Sequence, residues 1–183
     1  MSTFQRGRPK PSQVVRLFSF ALDKSRVSIE VAADGETVAY TEAAGERWQA
    51  ETIERPPEPA PVSADALVEV PLIKLAWGRS GDKGDKANVG IIARQAEYLP
   101  YIWAALSESV VTERFAHFLA DTSAGNVERF LMPGSHAINF LLHSVLGGGG
   151  VASIRNDPQG KGYAQLLLAC PIAVPPSIAE SVS

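Results

Sequence analysis

The spacing of apolar positions changes character along the chain. From residue 14 to residue 40 it favours a period of two. VVRLFSFAL (14–22) is rich in β-formers, and VSIEVAA (27–33) alternates apolar with polar. ADGETVAY follows, with Asp34-Gly35 as a hairpin-turn dipeptide. Three short strands are predicted there. In the second half, PLIKLAW (71–77) predicts a strand, the stretch after it a polar loop, and ANVGIIAR (87–94) a buried strand. Beyond Glu97 the period becomes helical. Tyr98, Tyr101, Ile102 and Ala105 fall on one face, with Pro100 in a first turn that tolerates it. VVTERFAHFLA (110–120) predicts another helix, with Val111, Phe115, Phe118 and Leu119 inward. NVERFLMP (126–133) predicts a strand between Gly125 and Pro133. HAINFLLHSVL (136–146) predicts a helix through Ile138, Leu141, Leu142 and Val145, ended by Gly147. VASIRND (151–157) and YAQLLLACPI (163–172), joined by a PQGKG turn, predict the last two strands. The order β-β-α-β-α-β-β points to an α+β sandwich, with helices on one face of a mostly antiparallel sheet.

Between these regions, ERPPEPAPVSADA (54–66) carries four prolines and no periodic pattern, and so predicts a semi-rigid linker. The chain divides into a small β-rich piece (1–53), the linker (54–66), the main domain (67–175) and a loose Ser-rich tail (176–183). A piece with about 40 ordered residues buries little core alone. The first piece is therefore expected to lean on the main domain, a second copy or another part of a longer chain, which favours a homo-oligomer or a larger parent.

With 183 residues, 45% apolar and 20% charged, the composition is that of a globular protein. A net charge of −3 gives no general attraction to nucleic acid or an anionic membrane. No apolar run approaches the roughly 20 residues of a membrane helix. The N-terminus lacks a signal-peptide core, and Cys170 stands alone, so a cytoplasmic location is expected. Cys170 reads as a small buried hydrophobe, and Trp77, Trp103 and Phe140 as core.

Candidate chemistry concentrates in WGRSGDKGDKANVG (77–90). Gly81 and Gly84 permit close backbone approach, and Arg79 and Lys83 offset anionic charge. Ser80 and Asn88 add neutral hydrogen bonds, while Asp82 and Asp85 are candidates to orient the lysines or move a proton. The stretch lacks the P-loop and dinucleotide spacings and the Ca²⁺-loop pattern. A cation at Asp82, Asp85 and Asn88 competes with adjacent lysines. Composition alone leaves a solvated hairpin loop and a ligand cradle equally open. LGGGGVASIRND (146–157) is the second candidate. Gly147, Gly148, Gly149 and Gly150 exceed what a helix end needs, and Arg155 and Asp157 are placed to pair with each other or with the first loop. His136, at the start of the predicted helix with Asn139 one turn on, is the histidine to watch. His136 and His143 lie too far apart on a helix to share a metal, and no cluster has metal-ligand spacing. No cofactor is called for.

LAWGRSGDKGDKANVGIIAR followed by NVERFLMPGSHAINFLLHSVLGGGGVASIRNDPQGKG resembles the C-terminal domain of the acyclic terpene utilisation (AtuA-like) proteins, over about residues 70–172. That family commonly carries G-R-S-G-D-K-G-D-x-x-N and a late L-G-G-G-G. This chain departs at Lys86, where the family often has a small or hydroxyl residue. RGRPKPSQVVRLFSFALDKSRV also resembles the end of the family's large N-terminal domain, so the chain is expected to be the C-terminal part of a longer protein. The resemblance implies a ferredoxin-like α+β fold and a link to catabolism of acyclic terpenes through CoA thioesters of branched acids. It also implies partnership with the large domain in cis or trans and a small anionic ligand, an acyl-CoA or a carboxylate. It carries no catalytic mechanism. Two readings follow: a ligand-binding or catalysis-supporting domain, or an interaction module docking on the large domain.

Overall fold

The computed structural model describes the chain except residues 1–10, 12, 14, 44, 48, 50–52, 63–65 and 183. It divides into two compact units, Leu17–Glu54 and a larger one that includes Arg55–Ser183.

The small unit is one hairpin, β1 (Ile29–Ala33) against β2 (Glu36–Tyr40), preceded by a 3-10 turn at Lys24–Arg26. Asp34 and Gly35 both have positive φ, 53° and 84°, as the expected turn dipeptide requires. Residues 15–22 form no strand, contrary to expectation, and Val14 lies outside the described residues. The reason is visible in the burial: every described residue of 15–43 is exposed, so the β-formers of LFSF find neither a paired edge nor a core.

The large unit begins with β3 (Val68–Pro71) and a one-turn helix α1 (Leu72–Leu75), where a continuous strand was expected. Pro71 starts that turn, and Leu72 and Leu75 are both fully buried three residues apart. Then come β4 (Ala76–Lys83), β5 (Lys86–Ala93), α2 (Leu99–Ala105), α3 (Glu108–Phe115), β6 (Val127–Met132), β7 (Ala137–Leu142), α4 (Tyr163–Leu168), β8 (Pro171–Val174) and α5 (Pro176–Ser181). One sheet has the order β4-β5-β7-β6, antiparallel throughout, and β3 pairs with β8 in a second.

Four further predicted elements and the expected loose tail are corrected. The stretch 77–90 is not a long loop: the glycines and charges lie within strands, and the turn is only Gly84-Asp85. The predicted helix 136–146 is a strand over Ala137–Leu142. Ile138, Phe140 and Leu142 alternate into the core, and β5 and β6 flank the strand on either side. The strand expected at 163–172 is a helix as far as Leu168, because Tyr163, Ala164, Leu167 and Leu168 are buried at helical spacing. Residues 151–157 make turns rather than a strand, and the tail is not loose throughout, since Pro176–Ser181 is helical.

The helices pack on one face of the sheet around Phe115, Phe140, Ile138, Ile91, Leu146 and Leu167. This is an α+β fold of mixed helices and antiparallel sheets, as a ferredoxin-like arrangement requires. Arg129 ties α2 and α3 to β6. Its guanidinium lies 3.5 Å from the Trp103 ring and donates to the Trp103 and Leu106 carbonyls, and its amide donates to Glu108 at 2.9 Å. Trp77, expected in the core, is instead 53% exposed on the opposite face, with Arg94 4.7 Å from its ring. Cys170 is buried, and its burial pushes the thiol pKa up while the charge of Arg114 partly offsets this. Thiol labelling at pH 8 should therefore run at least about 100-fold slower in the native chain than in denaturant.

Candidate functional site

The β4-β5 hairpin and the glycine run after β7 meet at one end of the sheet. Gly84 takes φ +68°, as the first residue of a II′ turn, and hands the chain to Asp85. The Asp85 carbonyl accepts from the amides of Val145 (3.0 Å) and Leu146 (3.3 Å). Its carboxylate accepts from the Gly148 amide at 2.7 Å. Gly149 is buried at φ +87°, and a Cβ there would stand 3.0 Å from the Gly84 carbonyl oxygen. Only glycine lets these backbones approach so closely. The run Gly147-Gly148-Gly149 is left-handed throughout (φ 68°, 101° and 87°), which turns the chain back over the hairpin tip.

A third segment, residues 157–164, completes the cluster. The Asp157 carboxylate accepts from the amides of Lys161 (2.9 Å) and Gly162 (2.8 Å), at the start of α4. Ser80, buried on β4, donates to the Gly160 carbonyl at 2.6 Å and accepts from the Ala164 amide at 2.9 Å. Its hydroxyl is thus a cap for α4 supplied from a strand. Lys161 crosses the β4 edge above Gly81, with Nζ 3.1 Å from where a Cβ on Gly81 would be, and pairs with Asp82 at 3.6 Å. Asp82 is half-buried, and a Cβ on Gly150 would lie 3.9 Å from its other carboxylate oxygen. The result is a shelf: a carboxylate and an ammonium over a glycine floor, with exposed Lys83 and Lys86 at its tip.

Other residues singled out in the sequence fall elsewhere. Arg155 pairs neither with Asp157 nor with the hairpin. It donates to the Val145 carbonyl and, at 2.9 Å, to that of Phe118, and a Cβ on Gly147 would stand 3.0 Å from its Nε. The Tyr163 hydroxyl donates to the same Val145 carbonyl at 3.0 Å, and burial holds its pKa above the ordinary phenol value. These contacts commit the guanidinium to two backbone carbonyls, that of Val145 just before the glycine run and that of Phe118 just after α3. Arg79, Asn88 and Asn139 lie on the sheet face away from the helices, where the Asn88 amide donates to the Asn139 side-chain oxygen at 3.2 Å.

His136 begins no helix. It sits exposed at φ 49° in the β6-β7 turn, about 20 Å along β7 from the glycine end by strand rise. His143, expected on the same helix face, follows β7 and meets Glu128 at 2.6 Å. Sequence reasoning missed Lys161 and the capping role of Asp157. The signal was an aspartate four and five residues before amides that open a helix, within a stretch read only as a turn.

A cavity of about 690 Å³ between α3 and β6 is lined by none of these residues. Among the described residues no group of three or more His, Cys, Asp or Glu is placed to hold a metal ion, and no helix is long and apolar enough to cross a membrane. No curated relative and no solved structure matches the chain. The model of one family, the AtuA ferredoxin-like domain, matches residues 70–173, which contain the hairpin, the glycine run and the α4 start. The chain belongs to that family of AtuA ferredoxin-like domains.

Proposed function

We propose that this domain supports the reaction of an AtuA-like protein in the cytoplasm, in catabolism of acyclic terpenes or related branched acyl-CoA or carboxylate compounds. Its part is to present the Asp82–Lys161 pair and Lys83 to a small anionic ligand. The observation that carries this reading is the half-buried Asp82 paired at 3.6 Å with exposed Lys161 over glycines, at the point where the two glycine-rich segments touch. Lys161 and Lys83 attract phosphate or carboxylate, and Asp82 orients Lys161. Ser80, Asp85 and Arg155 shape the shelf through contacts to the chain's own backbone. The shelf is open, so the large AtuA domain, in cis or trans, is the surface that closes it.

Calorimetric titration with CoA and a branched acyl-CoA, with and without the large domain, tests this reading. Lys161→Ala is expected to weaken binding by about tenfold, a loss of about 1.4 kcal/mol. Absence of heat at millimolar ligand in both settings contradicts the proposal.

A second reading, an interaction module for the large domain, is favoured by the small unit. Its hairpin gathers Ile29, Val31, Val38 and Tyr40 on one face by register, and all four are exposed. A two-stranded hairpin with an uncovered apolar face is marginal by itself. Pull-down by the large domain that disappears with Val31→Glu and Val38→Glu supports that reading, and unchanged capture removes it.

A further inference from the structure

The helix-free face of the four-stranded sheet has a pattern that neither reading uses. The strand register puts one apolar residue from each strand into a single row at the His136 end: Trp77, Ile92, Ala137 and Met132. Trp77, Ile92 and Met132 are 53%, 45% and 50% exposed, where the helix-facing residues of the same strands are mostly buried. One exposed apolar side chain is ordinary, but a row crossing a whole sheet is not. The middle of the face is low at Gly90, Lys161 covers Gly81 at the β4 edge, and the two amides, Asn88 and Asn139, bond to each other. The β4-β5 half is cationic, with Arg79, Lys83, Lys86 and the Lys161 that crosses over Gly81, while the β6 half carries Glu128, which His143 meets at 2.6 Å, and Arg55 over Phe130.

We infer that this face is where a second copy of the chain docks, about a two-fold axis parallel to the strands. That operation places β4 of one copy over β6 of the other with the ends of the sheets aligned. The apolar rows then meet, Trp77 against the second copy's Met132. Glu128 faces the second copy's β4 edge, between Gly81 and Lys83. A two-fold axis across the strands would instead set the apolar row on lysines. The arrangement creates one like-charge contact, Arg79 against the Arg55 that lies 5.3 Å over Phe130. Four strands of up to eight residues span about 19 Å by 26 Å, or about 500 Å² of plane per copy. That is toward the small end for a specific interface, the size of weak, reversible associations. The interface shares the Gly81–Lys83 edge, with Lys161 above it, with the proposed ligand shelf, but self-association measured without ligand does not depend on that reading.

Sedimentation velocity of the full chain from about 1 to 100 µM tests it. A reversible monomer–dimer equilibrium is expected. Met132→Glu should weaken it at least about tenfold without lowering Tm, since Met132 is half exposed. Lys83→Glu and Glu128→Lys should each weaken it, the pair together should restore it, and Arg79→Ala should tighten it. A chain that stays monomeric at 100 µM overturns the inference. So does a dimer indifferent to Met132→Glu, or a charge swap that fails to rescue while both variants remain folded by circular dichroism. The same loss of docking to the large domain, with no self-association, assigns the face to that partner instead and also overturns it.

Discussion

Gly149→Ala is expected to lower stability by about 2–4 kcal/mol and Tm by about 10 °C. Two costs combine. At φ +87° an L side chain is strained by about 1–2 kcal/mol. Its Cβ would also stand 3.0 Å from the Gly84 oxygen and 3.1 Å from the Gly84 carbon, both backbone atoms, so the glycine loop or the hairpin tip has to move. Two controls separate the terms. Gly148→Ala carries positive φ (+101°) but meets only the Ala152 methyl at 3.5 Å, an ordinary contact. It should show the strain without the clash. Gly134→Ala meets nothing within 4 Å and should be nearly neutral. Thermal unfolding of the three variants checks the ranking Gly149, Gly148, Gly134. Equal losses at Gly149 and Gly148 would mean that the two segments do not touch.

Ser80→Ala is expected to cost about 2–3 kcal/mol, large for loss of a single oxygen. The hydroxyl is 7% exposed and serves the Gly160 carbonyl and the Ala164 amide at once. Removing it strands the buried Ala164 amide and leaves the Gly160 carbonyl only the long bond from the Tyr163 amide at 3.3 Å. The penalty is therefore chiefly desolvation of an unpaired buried amide rather than one net hydrogen bond. Hydrogen exchange should reveal where it falls: the Ala164 amide and the first turn of α4 should lose protection, while β5 and β7 keep theirs. Ser80→Thr retains the hydroxyl and tests the geometry, since its extra methyl has to fit beside α4. Uniform loss of protection across the sheet, with α4 no more affected than β7, would contradict the capping role.

The sequence carried the class of fold and the place of the candidate site more clearly than its elements. Where burial on one face coincides with one period, the reading holds. Val89, Ile91 and Ala93 alternate inward on β5, and Val111 and Phe115 mark the inward face of α3. The segment Ala137–Leu142 fits both periods. Ile138, Leu141 and Leu142 suit a helix and Ile138, Phe140 and Leu142 suit a strand, and only the free edges of β5 and β6 decide between them. The charged stretch after Trp77 read as a loop because its residues are poor β-formers. Pairing with β5 over eight residues overrides that propensity, and the glycines serve contacts across the sheet rather than a long turn: Leu168 would stand 3.1 Å from a Cβ on Gly78. For the site, glycine content showed that two segments were unusual but not that they touch. Asp85 and Arg155 read as ligand-facing charges, yet Asp85 holds the Gly148 amide and Arg155 the Val145 and Phe118 carbonyls. Lys161 was hidden in a turn because its relation to Asp82 spans 79 residues and exists only in the fold.

Hydrogen exchange with a branched acyl-CoA, in the presence of the large AtuA domain, tests the central claim most directly. The account predicts that amides of 81–85, 147–150 and 160–162 slow together on ligand addition, and that Lys161→Ala reduces all three changes in parallel. Protection that appears only elsewhere, or in one of these segments without the others, would contradict a shared ligand shelf built from the hairpin tip and the glycine loop.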